Sequence, residues 1–425
     1  MNIVMLTNTF TPHIGGVARS VEAFTNEYRR RSHRVLVVAP EFPDMPQHEI
    51  DVVRIPAIQN FNGSDFSVVL PVSGLLTEVL DEFSPEIIHA HHPYLLGVTA
   101  LRVARYRNLP LVFTHHTLYE EYTHYVPGDA PKLRRFIIEA AIRYANLSDR
   151  VFAPSESIMK LLRERGVETP VTVVPTGVQA EHFAHGNGER FRVATGIPED
   201  AFVVGHLGRL APEKNLKFLA EAAAAFLKTT SRAHFLVIGT GPSGRTIRDI
   251  FTREGLETRL HIASVLEHGQ LADALQAMNL FAFASKSETQ GMVLTEAMAA
   301  GLPVVALDAN GVREVVSDYK NGRLLHGESI EAFVSALQWV AGLSEKQVRE
   351  LARAAHETAE VFSMSHSADK ALACYTNLRD NISVERPEQE EHWHHLLDLI
   401  KVEWEILKGI GSATDAALGT DEETG

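Results

Sequence analysis

The sequence predicts an α/β protein made of two doubly wound, Rossmann-like domains that face each other across a cleft. Three observations support this prediction. Short runs rich in branched apolar residues alternate with helical stretches, which is typical of a parallel sheet covered by helices on both faces. The alternation begins again after Pro175-Thr176-Gly177, which indicates a second sheet. At 425 residues, the chain also exceeds the length of one typical core.

The first 180 residues show the alternation clearly. We predict strands at Arg34–Ala39, Glu86–Ala90, Leu111–Thr114, Val151–Ala153 and Val171–Val174. We predict helices at Val17–Arg31, Leu95–Tyr106 and Lys132–Ala145. Because such sheets bind ligands beyond the carboxyl ends of their strands, we expect the functional residues in the loops that follow these runs.

The second half repeats the pattern and then becomes helical over residues 344–380. Its predicted strands are Val203–His206, His234–Ile238, Leu260–Ala263, Leu280–Ala284 and Val304–Leu307. We predict domains over residues 1–180 and 181–362, then a helix over 363–382 that returns towards the first domain. Residues 383–425 are predicted to form an amphipathic helix over Gln389–Ile410, striped by Trp393 and Trp404, and a disordered acidic tail.

Composition narrows the class of protein. With 45% hydrophobic and 22% charged residues, the chain is typical of a globular protein. Its single cysteine, Cys374, excludes a disulfide framework and fits a reducing cytoplasm. We find no signal peptide before Ile3 and no apolar run long enough to span a membrane, so we expect a cytoplasmic protein. Residues 380–425 carry 3 basic against 12 acidic residues, most of the net charge of −14, and we therefore expect no nucleic-acid partner.

Two glutamates, Glu288 and Glu296, bracket a loop that leaves an apolar run and enters the helical stretch Leu294–Ala300. Such a loop presents free backbone N–H groups and the positive end of a helix dipole, which suits a phosphate. A carboxylate before the loop suits a sugar hydroxyl, and one a turn into the helix suits a ribose diol. The pattern predicts a nucleotide-sugar site; the alternative is a solvated helix face.

Two further loops carry anion-binding features. Gly15-Gly16 follows the first strand, and paired glycines allow a ligand to come close to the backbone; an ordinary tight turn is the alternative. Arg209 and Lys214 follow the first strand of the second half, where a guanidinium and an ammonium can converge on a diphosphate. The alternative for this pair is two surface charges.

The run Gly239-Thr240-Gly241-Pro242-Ser243-Gly244 matches the G-x-G-x-x-G fingerprint of dinucleotide binding. That fingerprint belongs at the first strand of its sheet, with an acidic residue at the end of the second. The next predicted strand, Leu260–Ala263, ends without one, so the sequence does not favour NAD.

Histidines cluster after two strands of the first domain. His115 and His116 follow one strand, and His89, His91 and His92 surround the end of another. One imidazole is expected to enter the cleft as a hydrogen-bond partner. A three-histidine metal site is the alternative, but no carboxylate accompanies these histidines at ligand spacing, and we predict no metal.

Taken in order, these motifs resemble the retaining glycosyltransferases of family 4, which have the two-Rossmann GT-B architecture. The resemblance covers residues 1–380 and extends to Val174–Val178 and Gly301–Val305. It implies a retaining hexosyltransferase that uses a nucleotide sugar and requires no metal or other cofactor. Retention is then expected by front-face attack, in which the leaving phosphate oxygen takes the acceptor's proton. Rival hypotheses are a non-catalytic binding module, which the intact charged set argues against, and a nucleotide-sugar epimerase.

The resemblance also implies roles for individual residues. Arg209 and Lys214 correspond to the diphosphate clamp, Glu288 to the carboxylate facing the donor sugar, and His116 to the histidine beside the reacting centre; these four are the expected catalytic residues. Further donor-binding residues are expected at Gly16, Gly239, Val265, Gly291, Met292, Val293, Leu294 and Glu296. Glu86 and Ser264 depart from the family's usual Asp and Gly, and the second leaves the nucleotide open.

The stretch from His115 to Tyr125 resembles that of bacterial diacylglycerol glucosyltransferases, which move glucose from UDP-glucose to the 3-hydroxyl of diacylglycerol. It implies that the first domain binds the acceptor, through Tyr119, Glu120, Tyr122 and His124, and that the second binds the donor. The alternatives are a soluble sugar or polyol and an inositol or polyprenyl lipid.

A lipid acceptor implies contact with a membrane. The predicted helix Lys132–Ala145 begins with basic residues and continues with Phe136, Ile137 and Ile138, which suits an anionic membrane surface. The alternative is a buried helix with a solvated end. We therefore expect a cytoplasmic protein with peripheral membrane contact, and the sequence leaves its oligomeric state open.

Overall fold

The structure, a computed structural model, describes residues 1–13, 15–58, 68–69, 74–118, 130–266 and 268–381. The chain forms two compact units. The first contains residues 1–154, 159–174 and the described chain from Ala368 onward; the second contains residues 155–158 and 175–367. The helix predicted at Gln389–Ile410 and the tail after it lie outside the described residues.

The first unit is built on a seven-stranded parallel sheet with the order β3-β2-β1-β6-β7-β8-β9. Its strands are β1 (Asn2–Leu6), β2 (Arg34–Pro40), β3 (Val52–Ile55), β6 (Ile87–Ala90), β7 (Leu111–Thr114), β8 (Arg150–Ala153) and β9 (Val171–Val173), and β4 (Ala57–Ile58) and β5 (Val68–Val69) form a separate antiparallel pair. The helices along this part of the chain are α1 (Gly16–Arg30), α2 (Gly74–Phe83), α3 (Leu96–Tyr106), α4 (Ala130–Asn146) and α5 (Glu156–Glu164). The central strands β6 and β7 are buried at every residue, as strands covered by helices on both faces must be.

The second unit contains a six-stranded parallel sheet with the order β12-β11-β10-β13-β14-β15. Its strands are β10 (Phe202–Leu207), β11 (Ala233–Ile238), β12 (Leu260–Ala263), β13 (Leu280–Phe283), β14 (Val304–Leu307) and β15 (Gly322–Leu325). The helices from residue 180 onward are α6 (Ala180–Ala184), α7 (Gly188–Thr195), α8 (Leu216–Thr229), α9 (Ser243–Arg253), α10 (His268–Gln276), α11 (Met292–Ala299), α12 (Ile330–Ala341), α13 (Glu345–Val361) and α14 (Met364–Asp380).

Both sheets are doubly wound, so the predicted fold class is confirmed. In the first sheet the strand order reverses between β1 and β6, and in the second between β10 and β13. Ligands of such sheets bind beyond the carboxyl ends of the strands at this reversal. The loops after these four strands are therefore the places where a site is expected.

The structure differs from the predicted elements at strand edges and helix ends. The edge strands β3 and β15 were not predicted, because they are short and most of their residues are only partly buried. Helix α11 begins at Met292, before the predicted Leu294, since Gly291 in the left-handed conformation precedes its first turn.

The helical stretch predicted over residues 344–380 is two helices, α13 and α14. The break lies at Phe362-Ser363, where the chain pairs with Val178 instead of continuing as one helix. Val178 N–H donates to the Phe362 carbonyl (2.8 Å), and Met364 N–H donates to the Val178 carbonyl (2.9 Å). After this break, α14 ends in the first unit, where the buried Tyr375 hydroxyl lies 2.6 Å from His89 Nδ1.

Candidate active site

Two loops at the strand reversal of the second unit bring together residues that are distant in sequence. Lys214 ends a short 3-10 turn after β10, and Glu288 lies in the loop after β13. The Lys214 ammonium donates a hydrogen bond to Glu288 Oε1 at 2.6 Å. The structure thus joins two of the predicted site residues in one ion pair.

The Lys214–Glu288 ion pair is largely withdrawn from water, with side chains 17% and 13% exposed. Burial opposes the charge of Glu288, but the nearby Lys214 ammonium outweighs it and holds the pKa of the carboxyl below its ordinary value. Glu288 is therefore ionised at neutral pH, and its carboxylate lies against the Lys214 ammonium at the carboxyl end of the sheet.

Arg209 is held by a buried acid that sequence reasoning missed. Its guanidinium donates to Glu213 Oε1 at 2.5 Å, and the two side chains are 52% and 7% exposed. The spacing of four residues was the available signal, since it suits a local ion pair. Glu213 thus orients a half-exposed guanidinium, the geometry needed to contact an anion such as phosphate.

The start of α11 provides a second anion-binding element. Gly291, in the left-handed conformation (φ 75°), immediately precedes Met292 and Val293 in the first turn. First-turn N–H groups lack acceptors within their helix, which favours an anion there. Leu294 is fully buried and Glu296 is 5% exposed, so both lie against the core rather than on a solvated helix face.

The loop before α11 is fixed by Gln290, another residue that the sequence did not identify. Its side-chain amide bonds both backbone groups of Thr176: Thr176 N–H donates to Oε1, and Nε2–H donates to the Thr176 carbonyl, both at 2.6 Å. A Cβ placed on Gly311 would lie 2.6 Å from the Gln290 backbone nitrogen. The approach to α11 is therefore packed too closely to shift without disturbing its neighbours.

The G-x-G-x-x-G run has a structural explanation within this unit. A Cβ on Gly239 would lie 2.0 Å from the Gly208 carbonyl oxygen, and one on Gly241 would lie 2.5 Å from the Leu210 carbonyl oxygen. Leu210 N–H also donates to the Thr240 carbonyl at 2.8 Å, and Ser243 N–H donates to the Leu210 carbonyl at 2.8 Å. The glycines allow this loop to pack directly against the backbone that carries Arg209.

Val265, another predicted donor-binding residue, is 47% exposed beyond the end of β12.

Replacing Gly241 with alanine is expected to displace the Arg209 loop. Gly241 has φ +145°, where an L-residue is strained, and the new Cβ meets backbone that cannot move aside. We expect the affinity for a nucleoside diphosphate, the ligand that the sequence predicts for this loop, to fall about tenfold by calorimetry, because displacing a binding group weakens its contacts. Gly327→Ala is the matched control, since a Cβ there meets nothing within 4 Å. Unchanged affinity for the nucleoside diphosphate in the Gly241 variant would contradict a role for this glycine in placing the Arg209 loop.

The loops at the strand reversal of the first unit are joined by Asn8. Its backbone N–H donates to His92 Nδ1, its side-chain amide donates to the Tyr94 carbonyl, and its Oδ1 accepts from Leu96 N–H, each at 3.1 Å. Gly16 begins α1 beside this junction, and a Cβ there would meet no protein atom within 4 Å. Contacts within the described fold therefore do not require glycine at this position.

The histidines of the first unit form a compact cluster. His116, just beyond β7, lies with Nε2 at 2.9 Å from His91 Nδ1. Burial lowers the pKa of His89 and His92 to about 3, and it lowers the pKa values of His91 and His116 well below their ordinary range. These imidazoles are therefore neutral at physiological pH.

One member of this cluster, His89, is paired with two hydroxyl groups. Both ring nitrogens of His89 are engaged, at 2.6 Å from the Tyr375 hydroxyl and 2.7 Å from the Thr114 hydroxyl. Across the parts of the chain that the structure describes, no group of three or more His, Cys, Asp or Glu side chains is arranged to hold a metal ion. The predicted acceptor residues Tyr119, Glu120, Tyr122 and His124 lie outside the described residues.

A groove lies on the surface of α4, the helix predicted to contact a membrane. Its volume is about 410 Å³, and its lining comprises Arg135, Ile138, Glu139, Ile142, Arg143, Asn146 and Arg165. Arg143 donates to Glu139 Oε1 at 2.6 Å, so one of the three arginines is neutralised within the groove. Three guanidinium groups against one carboxylate leave this groove basic, and its two isoleucines add apolar surface, a combination compatible with an amphiphile that has an anionic headgroup. Within the described residues, no helix is both long and apolar enough to cross a bilayer.

Two doubly wound units, with charged residues gathered at the strand reversal of the second, define the class of GT-B glycosyltransferases. Residues 14–182 match Glycosyltransferase Family 4, and residues 187–358 match Glycosyl transferases group 1. The chain belongs to glycosyltransferase family 4 and is a glycosyltransferase, as the sequence motifs predicted.

Individual relatives differ in the substrates that their names state. An alpha-monoglucosyldiacylglycerol synthase from Streptococcus pneumoniae is 27% identical over 335 residues, covering 77% of this chain and 76% of the relative. A D-inositol 3-phosphate glycosyltransferase from Kribbella flavida is 31% identical over 316 residues, covering 71% and 73%. Among solved structures, Anabaena HepE in complex with UDP-glucose aligns with a TM-score of 0.70 at 22% identity, covering 88% of this chain and 99% of HepE, a likeness of fold.

Proposed function

We propose that this glycosyltransferase is a retaining, metal-independent hexosyltransferase that moves glucose from UDP-glucose to diacylglycerol at a membrane surface. The proposed nucleotide-sugar donor depends on one observation: the Lys214–Glu288 ion pair and Arg209 lie in the loops at the strand reversal of the second unit. The proposed acceptor and membrane contact depend on the relatives and on the groove of α4.

The site supplies positive charge where a departing nucleoside diphosphate develops negative charge. Lys214 and Arg209 provide two cations, and the first turn of α11 adds backbone donors and the helix dipole. Such a set stabilises a leaving diphosphate in the way that a divalent cation does in other transferases. On this proposal Glu288 accepts hydrogen bonds from hydroxyls of the donor sugar, and Glu296 accepts hydrogen bonds from the ribose diol.

Retention of configuration is proposed to follow from front-face attack. The acceptor hydroxyl attacks the anomeric carbon on the side from which the diphosphate departs, and its proton passes to the leaving phosphate oxygen. This step requires no carboxylate nucleophile, in contrast to the two-carboxylate retaining glycosidases. A neutral His116 suits it, because an uncharged imidazole can donate a hydrogen bond without repelling a developing positive charge on the sugar.

Diacylglycerol is the proposed acceptor because the Streptococcus pneumoniae relative is named for monoglucosyldiacylglycerol, and because the groove on α4, with three arginines against one glutamate, suits an anionic membrane surface. An inositol phosphate is the second candidate. It is favoured by the higher identity, 31%, to the Kribbella flavida relative.

The test is release of UDP from UDP-glucose in the presence of diacylglycerol, presented in anionic or in neutral vesicles, with EDTA in every reaction. We expect release that depends on diacylglycerol, is faster on anionic vesicles and yields an α-glucoside by NMR. Arg209→Ala should abolish release, whereas Arg232→Ala, which removes a 72% exposed arginine of the same unit, should leave it unchanged.

Each alternative has its own outcome in this assay. Release with inositol phosphate but not with diacylglycerol would show that inositol phosphate, and not diacylglycerol, is the acceptor. A β-glucoside product would refute retention of configuration. Release of GDP from GDP-mannose, with no release of UDP from UDP-glucose, would show that GDP-mannose is the donor. No release with any acceptor, although UDP binds, would refute all parts of the proposal beyond nucleotide binding.

A further inference from the structure

We propose that His91 is a positioning residue that fixes His116 as the tautomer with its proton on Nδ1. The inference rests on the proposed function in one respect, the place of His116 beside the reacting centre. Its structural basis is the 2.9 Å contact between His91 Nδ1 and His116 Nε2. The two rings lie nearly parallel, at 21°, with centroids 5.2 Å apart.

One hydrogen bond between two neutral imidazoles can be made in two ways, and the surroundings of His91 distinguish them. His91 is 1% exposed, and its Nε2 has no hydrogen-bond partner among the described residues. If His91 accepted the bond at Nδ1, its own proton would sit on Nε2 as a stranded buried donor. Orphaned buried N–H groups are rarer than under-satisfied acceptors.

His91 therefore carries its proton on Nδ1 and donates it to His116 Nε2. A neutral imidazole has one N–H, so the proton of His116 lies on Nδ1. A charged form of either ring is disfavoured at neutral pH, because burial and the neighbouring imidazoles lower both pKa values well below the ordinary range.

Neighbouring contacts hold His91 in this orientation. The ring of His89 packs against it with centroids 4.1 Å apart, and His89 is itself fixed by the hydroxyls of Tyr375 and Thr114. A rotation of the His91 ring would move it against this packing. The pair thus has a defined geometry before any substrate binds.

The tautomer determines what His116 can do in the reaction. With Nε2 occupied as an acceptor, the ring has no available lone pair with which to take a proton from an incoming hydroxyl. In this tautomer His116 does not act as a general base. This assignment agrees with front-face attack, in which the leaving phosphate takes the acceptor's proton.

The tautomer is measured by two-bond 1H–15N correlation spectra of protein labelled with 15N-histidine, at pH 7 and without substrate. We expect His116 to show a pyrrole-type Nδ1 and a pyridine-type Nε2. His91→Phe, which removes the donor, should change this pattern, and His91→Asn, whose amide can donate, should retain it. The exposed His48, changed to Asn, is the control and should leave the His116 signals in place.

Kinetics then test the consequence for the proposed reaction. His91→Phe is expected to lower kcat about 10- to 100-fold, the effect of a misplaced catalytic group, with UDP affinity within twofold of wild type. His91→Asn should recover most of kcat. A merely structural role for His91 would instead lower UDP affinity and kcat in both variants.

The spectra decide the proposal even if the protein transfers no sugar to the acceptors tested. A pyrrole-type Nε2 or an imidazolium signal for His116 in the wild-type protein would overturn it, as would an unchanged pattern in His91→Phe. If His91→Phe does not fold, the spectra of the wild type and of His91→Asn still distinguish the two tautomers.

Discussion

Replacing Lys214 with methionine is expected to lower kcat about 10²- to 10³-fold, the effect of losing one group that stabilises charge in the transition state. Methionine keeps an unbranched stem as long as that of lysine up to Cε but removes the ammonium that lies 2.6 Å from Glu288. The same change leaves a mostly buried carboxylate without its cation. We therefore also expect the free energy of unfolding to fall by about 1–2 kcal/mol, a value reduced for the partial exposure of the pair.

A double-mutant cycle separates these two effects. In Lys214→Met combined with Glu288→Met, no buried charge is left uncompensated, so the free energy of unfolding should recover relative to Lys214→Met alone. Activity should stay lost, because both the cation and the proposed sugar ligand are absent. Lys217→Met, an exposed lysine at the start of α8, is the matched control and should change neither quantity. Recovery of activity in the double variant would show that the ion pair has only a structural role.

The residues of this site that the sequence identified are those whose position follows from strand order. Arg209 and Lys214 come after the first strand of their sheet and Glu288 after the fourth, and doubly wound sheets place these two ends side by side. Strand order therefore explains why Lys214 and Glu288 meet although they are 74 positions apart in the chain, whereas their roles were implied by the family resemblance.

The roles of the supporting residues were not predicted, although His91 was named in a histidine cluster, because these roles depend on contacts that local spacing does not encode. Gln290 fixes its loop through the backbone of Thr176, 114 residues away, and His91 meets His116 only because β6 and β7 are neighbours. The G-x-G-x-x-G run shows the same limit. Its spacing indicates a close approach of backbone, and only the structure shows that the approaching group is the protein's own Gly208–Leu210 chain.

Acidification from pH 7 to pH 5 is expected to destabilise this protein strongly, and the first unit more than the second. Burial lowers the pKa of His89 and His92, in the first unit, to about 3 and that of His206, in the second, to about 4. An unfolded chain binds these protons near a pH of about 6.5, well before the folded protein does. Stability is therefore full above a pH of about 6.5 and declines as the pH falls towards the folded pKa values.

The loss of unfolding free energy at pH 5 depends on the pKa that these three histidines have in the unfolded chain. Their pKa values in the folded protein all lie below 5 and therefore contribute little. Each histidine then contributes a loss of about 2 kcal/mol relative to pH 7. His91 and His116 act in the same direction in the first unit. Since a whole domain is stable by only about 5–15 kcal/mol, the first unit should lose hydrogen-exchange protection at β6 and β7 before β10 and β13 do.

His206 allows the cause to be isolated in the second unit. Its ring packs against both Phe281 and Phe283, with centroids 6.1 Å from each, and its Nδ1 donates to the Ala282 carbonyl at 3.1 Å. Burial lowers the pKa of His206 and outweighs that bond and the Glu288 carboxylate, which favour the charged ring, while Lys214 opposes the charge as well. His206→Phe should therefore reduce the loss of this unit's unfolding free energy between pH 7 and pH 5 by about 2 kcal/mol.

Guanidinium unfolding at the two pH values, followed by hydrogen exchange on segments of each unit, measures this difference. His185→Phe is the control, because His185 is exposed in the same unit and has no burial to relieve. If the pH dependence of His206→Phe equals that of the wild type, then the acid sensitivity of the second unit arises elsewhere. If the pH dependence of the second unit's unfolding free energy falls in His206→Phe while the pH dependence of the first unit is unchanged, the stability of each unit at low pH is set by its own buried imidazoles.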